Sequence, residues 1–107
     1  MVVGVAYKPD IDDIRESPAL DIIGLLHQKG AKVAYHDPYI PHLEEEMIRL
    51  ESVGDLIESA RNADCVVIVT NHSEYDYKAI LKASKCVVDT RNALGQFGRN
   101  NPKIVRL

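Results

Sequence analysis

The chain has 107 residues, of which 46% are hydrophobic and 27% are charged, and its formal net charge is −3. This length suits one domain with a single hydrophobic core, and the 13 Lys and Arg residues against 16 Asp and Glu residues leave no excess of positive charge for binding nucleic acid. No apolar run approaches the roughly 20 residues that span a bilayer, and no secretory signal begins the chain, so the sequence predicts a cytoplasmic protein without a membrane partner.

The first 30 residues predict a strand, a loop and a helix. Residues 2–6 (VVGVA) form a short apolar run rich in β-branched side chains, which is typical of a strand buried on both faces. Ser17 provides an N-cap acceptor, and Pro18 suits the first helical position because an N–H there would have no partner. The apolar spacing that follows predicts a helix ending at Gly30. The intervening loop, residues 8–16, is longer than most.

This loop carries six charged residues in nine positions, and Tyr7 stands just before it. In an open parallel sheet, ligands bind beyond the carboxyl ends of the strands, which is where this loop must lie. An aromatic ring next to Lys8 could stack on a base while the lysine pairs with a phosphate. The alternative is a solvated loop whose acids and bases pair with each other.

The rest of the chain alternates between predicted strands and helices. Residues 32–36 predict a strand that stops at Asp37-Pro38, and Asp37 is expected to anchor a turn. The later segments are a helix-compatible stretch over 41–50, a helix over 53–63, a central strand over 65–69, a helix over about 76–83, a strand over 86–88, a loop over 94–102 and a last short strand over 104–107. The alternation predicts a Rossmann-like three-layer α/β/α domain with a mainly parallel sheet of about five strands.

Polar residues follow three of these strands. The loop 8–16 follows the first strand, residues 70–73 (TNHS) follow the central strand, and residues 89–92 (DTRN) follow the strand after it. Because the carboxyl ends of parallel strands share one edge of a sheet, we expect these three clusters to converge there.

The residues do not indicate a complete catalytic apparatus. The four histidines are scattered without ligand spacing, so no metal site is predicted. Cys65 and Cys86 each begin an apolar run and are expected to be buried reduced thiols, with a disulfide or a catalytic pair as the alternative. No G-x-G-x-x-G follows the first strand, which argues against a glycine-rich dinucleotide site. A phosphoacceptor receiver domain would need an aspartate where Thr70-Asn71 stands.

Four segments at fixed spacing resemble one known family. They are GVAYKPDIDDIRESPAL from residue 4, HDPY from residue 36, VVIVTNHSEY from residue 66 and VVDTRN from residue 87. Together they resemble the C-terminal UDP-binding domain of the UDP-glucose/GDP-mannose dehydrogenase family, over essentially the whole chain. The NHSEY and DTRN segments are most similar to the branch that oxidises UDP-N-acetylglucosamine or UDP-N-acetylmannosamine.

The resemblance implies a function for a longer protein. Enzymes of this family oxidise the C6 alcohol of a UDP-sugar to a carboxylate in two NAD-dependent steps, through a cysteine-bound thiohemiacetal. They carry an N-terminal NAD-binding domain, a central helical region that builds the dimer, and a C-terminal domain like this chain. The resemblance therefore implies a UDP-sugar as ligand, NAD held mainly by another domain of the same protein, and a parent that is a homodimer or a higher oligomer.

The resemblance also implies roles for individual residues. It places Tyr7 beside the uracil, gives Lys8 and Arg91 contacts with the substrate, and matches Arg15 to an arginine that reaches the NAD of the other domain. The residue types suit these roles, because arginine and lysine both bind diphosphates and an aromatic ring is a platform for a planar base.

Structural roles for two of these residues stay open. Lys8 could pair with Asp10 or Asp12, and Arg15 could tie the loop to Asp13. A free-standing nucleotide-binding or regulatory domain is the alternative function for the chain as a whole.

No catalytic residue is assigned, because neither Cys65 nor Cys86 has the motif that surrounds the family's catalytic cysteine. Residues 1–107 are therefore expected to be the UDP-sugar-binding domain without the NAD-binding and central domains, and to be inactive alone. Met1 is then an artificial start inside the first strand.

Overall fold

The computed structural model describes residues 1–45, 48–95 and 101–106. The strands in this part of the chain are β1 (Val2–Val3), β2 (Tyr35–His36), β3 (His42–Glu45), β4 (Ile48–Glu51), β5 (Val66–Ile68), β6 (Val87–Asp89) and β7 (Ile104–Arg106), and the helices are α1 (Pro18–Gln28), α2 (Leu56–Asn62) and α3 (Tyr77–Ala83). Five strands form a parallel sheet in the order β2-β1-β5-β6-β7. The predicted parallel sheet, with its central strand over Val66–Ile68, is confirmed.

The sheet is covered on both faces, because successive residues of a strand point to opposite sides. Val2 packs in one core with Ile23 of α1, whereas Val3 packs in a second core with Ile80 of α3. Leu43 of the β3–β4 hairpin joins the core on the α1 side. The three predicted layers are therefore present: α1 with the hairpin, the sheet, and α2 with α3.

Helix α1 begins and ends where the sequence predicts. The Ser17 hydroxyl accepts a hydrogen bond from the Ala19 N–H at 3.2 Å, and Pro18 occupies the first turn. At the other end, Gly30 has a φ of +85° and its N–H donates to the His27 carbonyl at 3.0 Å. These two caps fix the position of α1 behind the β1–α1 loop, residues 4–17.

The expectation of a helix over residues 41–50 is wrong. The described residues of this segment form the antiparallel pair of β3 and β4, in which Leu43 lies opposite Leu50. The Ser52 N–H donates to the Pro41 carbonyl at 3.0 Å and holds the base of the hairpin. Closely spaced apolar residues fit a strand or a helix over so short a segment, and here the cross-strand pairing decides.

The remaining predicted elements are confirmed with shifted ends. Helix α2 begins after Asp55, whose carboxylate caps the Glu58 N–H, and α3 begins after Asp76, which caps the Ala79 N–H in the same way. The last strand covers Ile104–Arg106, and the predicted loop over 94–102 falls mostly outside the described residues. No described helix is long and apolar enough to cross a membrane.

Strand β1 ends at a glycine that permits a close approach of two chain segments. Gly4 has a φ of +83°, and a Cβ atom at this position would lie 2.2 Å from the Thr70 carbonyl oxygen. The Gly4 N–H also donates to the His36 carbonyl at 2.9 Å. The β1–α1 loop therefore leaves the sheet pressed against the end of β5.

Candidate functional site

The three predicted polar segments lie together at the carboxyl edge of the sheet. The Ser73 N–H and hydroxyl donate to the Asp10 carboxylate at 2.8 and 2.7 Å, which joins the β1–α1 loop to the segment after β5. The segment after β6 reaches the same place, since Arg91 Nε donates to the Val69 carbonyl at 2.9 Å. The predicted convergence is confirmed.

Tyr7 and Lys8 lie exposed on this edge, next to each other. The Lys8 Nζ is 5.6 Å from the centroid of the Tyr7 ring, which is within cation–π distance. The Tyr7 side chain remains 38% exposed. Within the described ranges Lys8 forms no ion pair with an acid, and Asp10 binds Ser73 instead. An aromatic face and an ammonium group are thus both accessible to a ligand.

Arg91 lies two strands away, on a turn that is held rigidly. Asp89 is 1% exposed and its carboxylate accepts hydrogen bonds from the N–H groups of Arg91, Ala93 and Leu94 at 3.0 to 3.1 Å. The guanidinium donates through Nε to Val69 and has no acidic partner in the described part of the chain. Its terminal amino groups are therefore available to an anion.

Arg15 is engaged within its own loop. Its Nε and one terminal nitrogen donate to the two oxygens of the Asp13 carboxylate at 3.0 and 2.8 Å. This hydrogen bonding lowers the pKa of Asp13 to about 2. The Arg15 side chain is 87% exposed, and ion pairs at such positions contribute little to stability. A stronger anion could therefore compete with Asp13 for this guanidinium.

His72 lies at the centre of the edge, and the sequence alone predicts no individual role for it. Its side chain is 0% exposed; Nδ1 accepts from the Asp10 N–H at 2.7 Å, and Nε2 lies 2.8 Å from an oxygen of Asp37. Because Nδ1 accepts from a backbone donor, the ring proton resides on Nε2 and is donated to the carboxylate. The same Asp37 oxygen accepts from the N–H groups of Val5 and Ala6 at 2.8 and 3.0 Å. We call Asp10, Asp37 and His72 the His72 network.

Asp37 is also the turn anchor that the sequence predicts. Its second oxygen accepts from the Tyr39 N–H at 2.8 Å, so the carboxylate organises both the turn after β2 and the loop after β1. A sequence signal for the network exists in retrospect: His72 follows the central strand β5, Asp10 follows its neighbour β1, and Asp37 follows β2, which pairs with β1. The spacing along the chain does not show that these three side chains meet.

Tyrosines enclose the buried histidine. The Tyr39 ring centroid lies 4.8 Å from that of His72, and the Tyr77 hydroxyl donates to the His72 carbonyl at 2.6 Å. The Tyr75 hydroxyl donates to the His36 carbonyl at 2.8 Å. Burial raises the pKa of both Tyr75 and Tyr77, so these phenols stay protonated and keep donating.

The cysteines lie at the opposite edge. Cys65 and Cys86 directly precede β5 and β6 at the amino ends of these neighbouring strands, and both are free, half-buried thiols. Burial raises the pKa of the Cys65 thiol, which disfavours the reactive thiolate. Both side chains are only partly buried, so the expectation that they are buried is wrong.

The fold and this edge define a Rossmann-like α/β domain with exposed cations and an aromatic ring at the ends of its strands. The family profile described as "UDP-glucose/GDP-mannose dehydrogenase family, UDP binding domain" matches residues 1–96. The chain therefore belongs to this family, as the four sequence segments predict.

Individual relatives agree with this assignment. The chain is 35% identical over 101 residues to the UDP-N-acetyl-D-mannosamine dehydrogenase of Methanococcus aeolicus, covering 87% of this chain and 22% of that protein. It is 34% identical over 97 residues to the UDP-glucose 6-dehydrogenase of Rhizobium meliloti, covering 85% and 22%. The structure of the UDP-N-acetyl-mannosamine dehydrogenase of Staphylococcus aureus superimposes with a TM-score of 0.70 at 30% identity, covering 98% of this chain and 24% of that one. The chain thus spans 22% to 24% of the length of these relatives.

Proposed function

We propose that this chain is the C-terminal, UDP-sugar-binding domain of an NAD-dependent nucleotide-sugar 6-dehydrogenase. The whole enzyme would oxidise the C6 alcohol of UDP-N-acetylglucosamine or UDP-N-acetylmannosamine to a carboxylate. The observation that carries the proposal is that two cations, Lys8 and Arg91, lie at the carboxyl edge of one sheet, with the exposed ring of Tyr7 next to Lys8. Membership in the family supports UDP as the ligand.

The geometry supports a particular orientation of UDP. Strands β1 and β6 are separated by β5, and two strand spacings of about 4.8 Å place their ends about 10 Å apart. A nucleoside diphosphate can span that distance. In this orientation the uracil stacks on Tyr7, while Lys8 and Arg91 share the negative charge of the diphosphate. The lysine ammonium acts as a point charge, whereas the planar arginine guanidinium can donate two parallel hydrogen bonds to one phosphate.

The residues of this chain do not fit a glycine-rich NAD site. The β1–α1 loop has no glycine after Gly4, and Gly4 approaches Thr70 where a dinucleotide loop would approach a diphosphate. We therefore place NAD mainly on an N-terminal domain of the same protein, with Arg15 leaving Asp13 to contact it. The cofactor supplies the hydride acceptor, and the catalytic residues belong to that upstream part.

The other assignments concern the whole protein. An N-acetylhexosamine substrate is favoured by the name of the Methanococcus aeolicus relative, and the Rhizobium meliloti relative, named for UDP-glucose, suggests that sugar selectivity lies mainly upstream. A central helical region would make the parent a homodimer or a higher oligomer. We place that parent in the cytoplasm, in line with the free thiols of Cys65 and Cys86.

Titration with UDP by calorimetry tests the site directly. Lys8→Ala and Arg91→Ala are each expected to weaken binding about tenfold or more, because a hydrogen bond to a charged group is lost. Lys32→Ala and Arg61→Ala are controls, since both residues are exposed and precede β2 and β5 in the chain; Arg61 lies in the last turn of α2 and pairs with Glu58. Unchanged affinity in both site variants, or equal losses in the controls, would contradict the proposed site.

A ligand series separates recognition of the base from recognition of the phosphates. Uridine should bind much more weakly than UDP, and the loss caused by Lys8→Ala should largely disappear with uridine. Tyr7→Ala should weaken both ligands, by about 1 to 3 kcal/mol if the base stacks on the ring. Equal binding of UDP and GDP would argue against recognition of the pyrimidine.

A further inference from the structure

We propose that His72 is a positioning residue for the nucleotide site: its imidazole holds the β1–α1 loop in the shape that presents Tyr7 and Lys8 to the ligand. This inference rests on the proposed function, and it extends that function to a residue that does not itself reach the exposed edge. His72 is fully buried and would act through the loop.

Hydrogen bonds from the backbone to Asp37 and His72 hold the loop on both sides of Tyr7 and Lys8. Before Tyr7, the N–H groups of Val5 and Ala6 donate to Asp37 at 2.8 and 3.0 Å. After Lys8, the N–H of Asp10 donates to His72 Nδ1 at 2.7 Å. The bond between His72 Nε2 and the Asp37 carboxylate, at 2.8 Å, closes the connection. The short segment 7–9 therefore lies between two anchors that one imidazole joins, and a further hydrogen bond, from the Tyr7 N–H to the Asp13 carbonyl at 2.6 Å, ties its start to the rest of the loop.

The conformation of Asp10 shows why the loop needs this connection. Its φ is +64°, a left-handed conformation that an L-residue with a side chain rarely adopts. Such a conformation persists when its surroundings over-determine it. Here the Asp10 N–H is bound to His72, and its carboxylate is bound by the Ser73 N–H and hydroxyl. Without the histidine, the loop would lose the buried half of this support.

A loop that is already ordered in the free protein binds its ligand more tightly, because binding then does not have to supply the conformational entropy lost when the loop becomes ordered. Only a side chain with one acceptor and one donor at imidazole spacing can serve both Asp10 and Asp37. Glutamine offers such a pair in its amide oxygen and nitrogen, whereas leucine offers neither. This difference separates a positioning role from the filling of space.

The experiment compares His72→Leu, His72→Gln and Tyr77→Phe with the unmodified chain, at a temperature where each is folded. Tyr77→Phe is the control because it removes the hydroxyl that donates to the His72 carbonyl and leaves both ring nitrogens untouched. We expect His72→Leu to weaken UDP binding about tenfold, because leucine removes both hydrogen bonds by which the imidazole joins Asp10 to Asp37. His72→Gln should recover most of that loss, and Tyr77→Phe should lower thermal stability without lowering affinity.

Amide hydrogen exchange gives a second readout that needs no ligand. Protection of the Asp10 amide should be lost in His72→Leu and restored in His72→Gln. If the unmodified chain binds no UDP, the proposed function fails and with it the ligand half of this inference, while the exchange pattern still decides whether His72 holds the loop.

Three results would overturn the positioning role. They are unchanged protection and affinity in His72→Leu, failure of glutamine to rescue, and a loss of affinity in Tyr77→Phe as large as in His72→Leu. If His72→Leu does not fold, nitrogen-15 spectra of the imidazole in the unmodified chain decide: a proton on Nε2 with Nδ1 as acceptor supports the role, and a proton on Nδ1 overturns it.

Discussion

Replacing Gly4 with alanine is expected to lower the free energy of unfolding by about 2 to 5 kcal/mol. Two costs add at this position. Gly4 has a φ of +83°, where a side chain costs about 1 to 2 kcal/mol. The new Cβ would also lie 2.2 Å from the Thr70 carbonyl oxygen and 2.6 Å from the Thr70 Cβ, and overpacking of this kind costs about 1 to 3 kcal/mol.

Thr70 has little room to move away. Its hydroxyl donates to the Ala6 carbonyl at 2.5 Å, and the preceding Val69 N–H donates to the Val3 carbonyl at 3.0 Å. A shift that relieves the overlap would stretch the contact between β1 and β5 at the centre of the sheet. The expected loss is a large fraction of the stability of a domain of this size, which is about 5 to 15 kcal/mol.

Urea unfolding followed by far-ultraviolet circular dichroism measures the change, with the free energy taken from the midpoint and the slope. Gly24→Ala is the matched control, because Gly24 lies in α1 and a Cβ there would meet nothing within 4 Å. That variant should be about 1 kcal/mol more stable, since alanine favours a helix over glycine. A free energy of unfolding for Gly4→Ala within about 0.5 kcal/mol of that of the unmodified chain would contradict the expected steric cost.

Two further predictions concern stability. Asp37→Ala should cost about 3 to 5 kcal/mol because it leaves the buried N–H groups of Val5 and Ala6 without an acceptor, and Asp37→Asn should cost less because one oxygen remains; equal urea midpoints for the two variants would contradict this. Burial lowers the pKa of His36 below its ordinary value of 6.5, so the unfolded chain takes up a proton before the folded chain does. Stability should therefore be complete above about pH 6.5 and fall as the pH drops through the lowered pKa. His36→Gln should flatten the melting temperature between about pH 7.5 and 5.5, and a slope equal to that of the unmodified chain would contradict this.

Several elements follow from residues that are close together in the chain. The Ser17-Pro18 start and the Gly30 end of α1 depend on capping and on φ preferences, which act within a few residues. The buried strand β5 follows from an apolar run of a length that suits a strand. The meeting of the three polar segments follows from the rule that parallel strands share a carboxyl edge.

The hairpin over His42–Glu45 and Ile48–Glu51 shows where such local reasoning fails. The spacing of its apolar residues is compatible with a helix or with a strand. The strand is the form found, because it lets Leu43 reach the core beside α1. That choice is made by packing against a distant element. Propensity within the segment does not decide it.

The sequence by itself determined the parallel sheet, its helical cover and the strand edge that carries Tyr7, Lys8 and Arg91, because these depend on spacing and on turn chemistry within short segments. Only the tertiary structure decided that His72 bridges Asp37 and Asp10, which lie 35 and 62 positions away along the chain. A hydrogen bond needs two partners within about 3 Å, and the folded chain alone brings such distant residues that close.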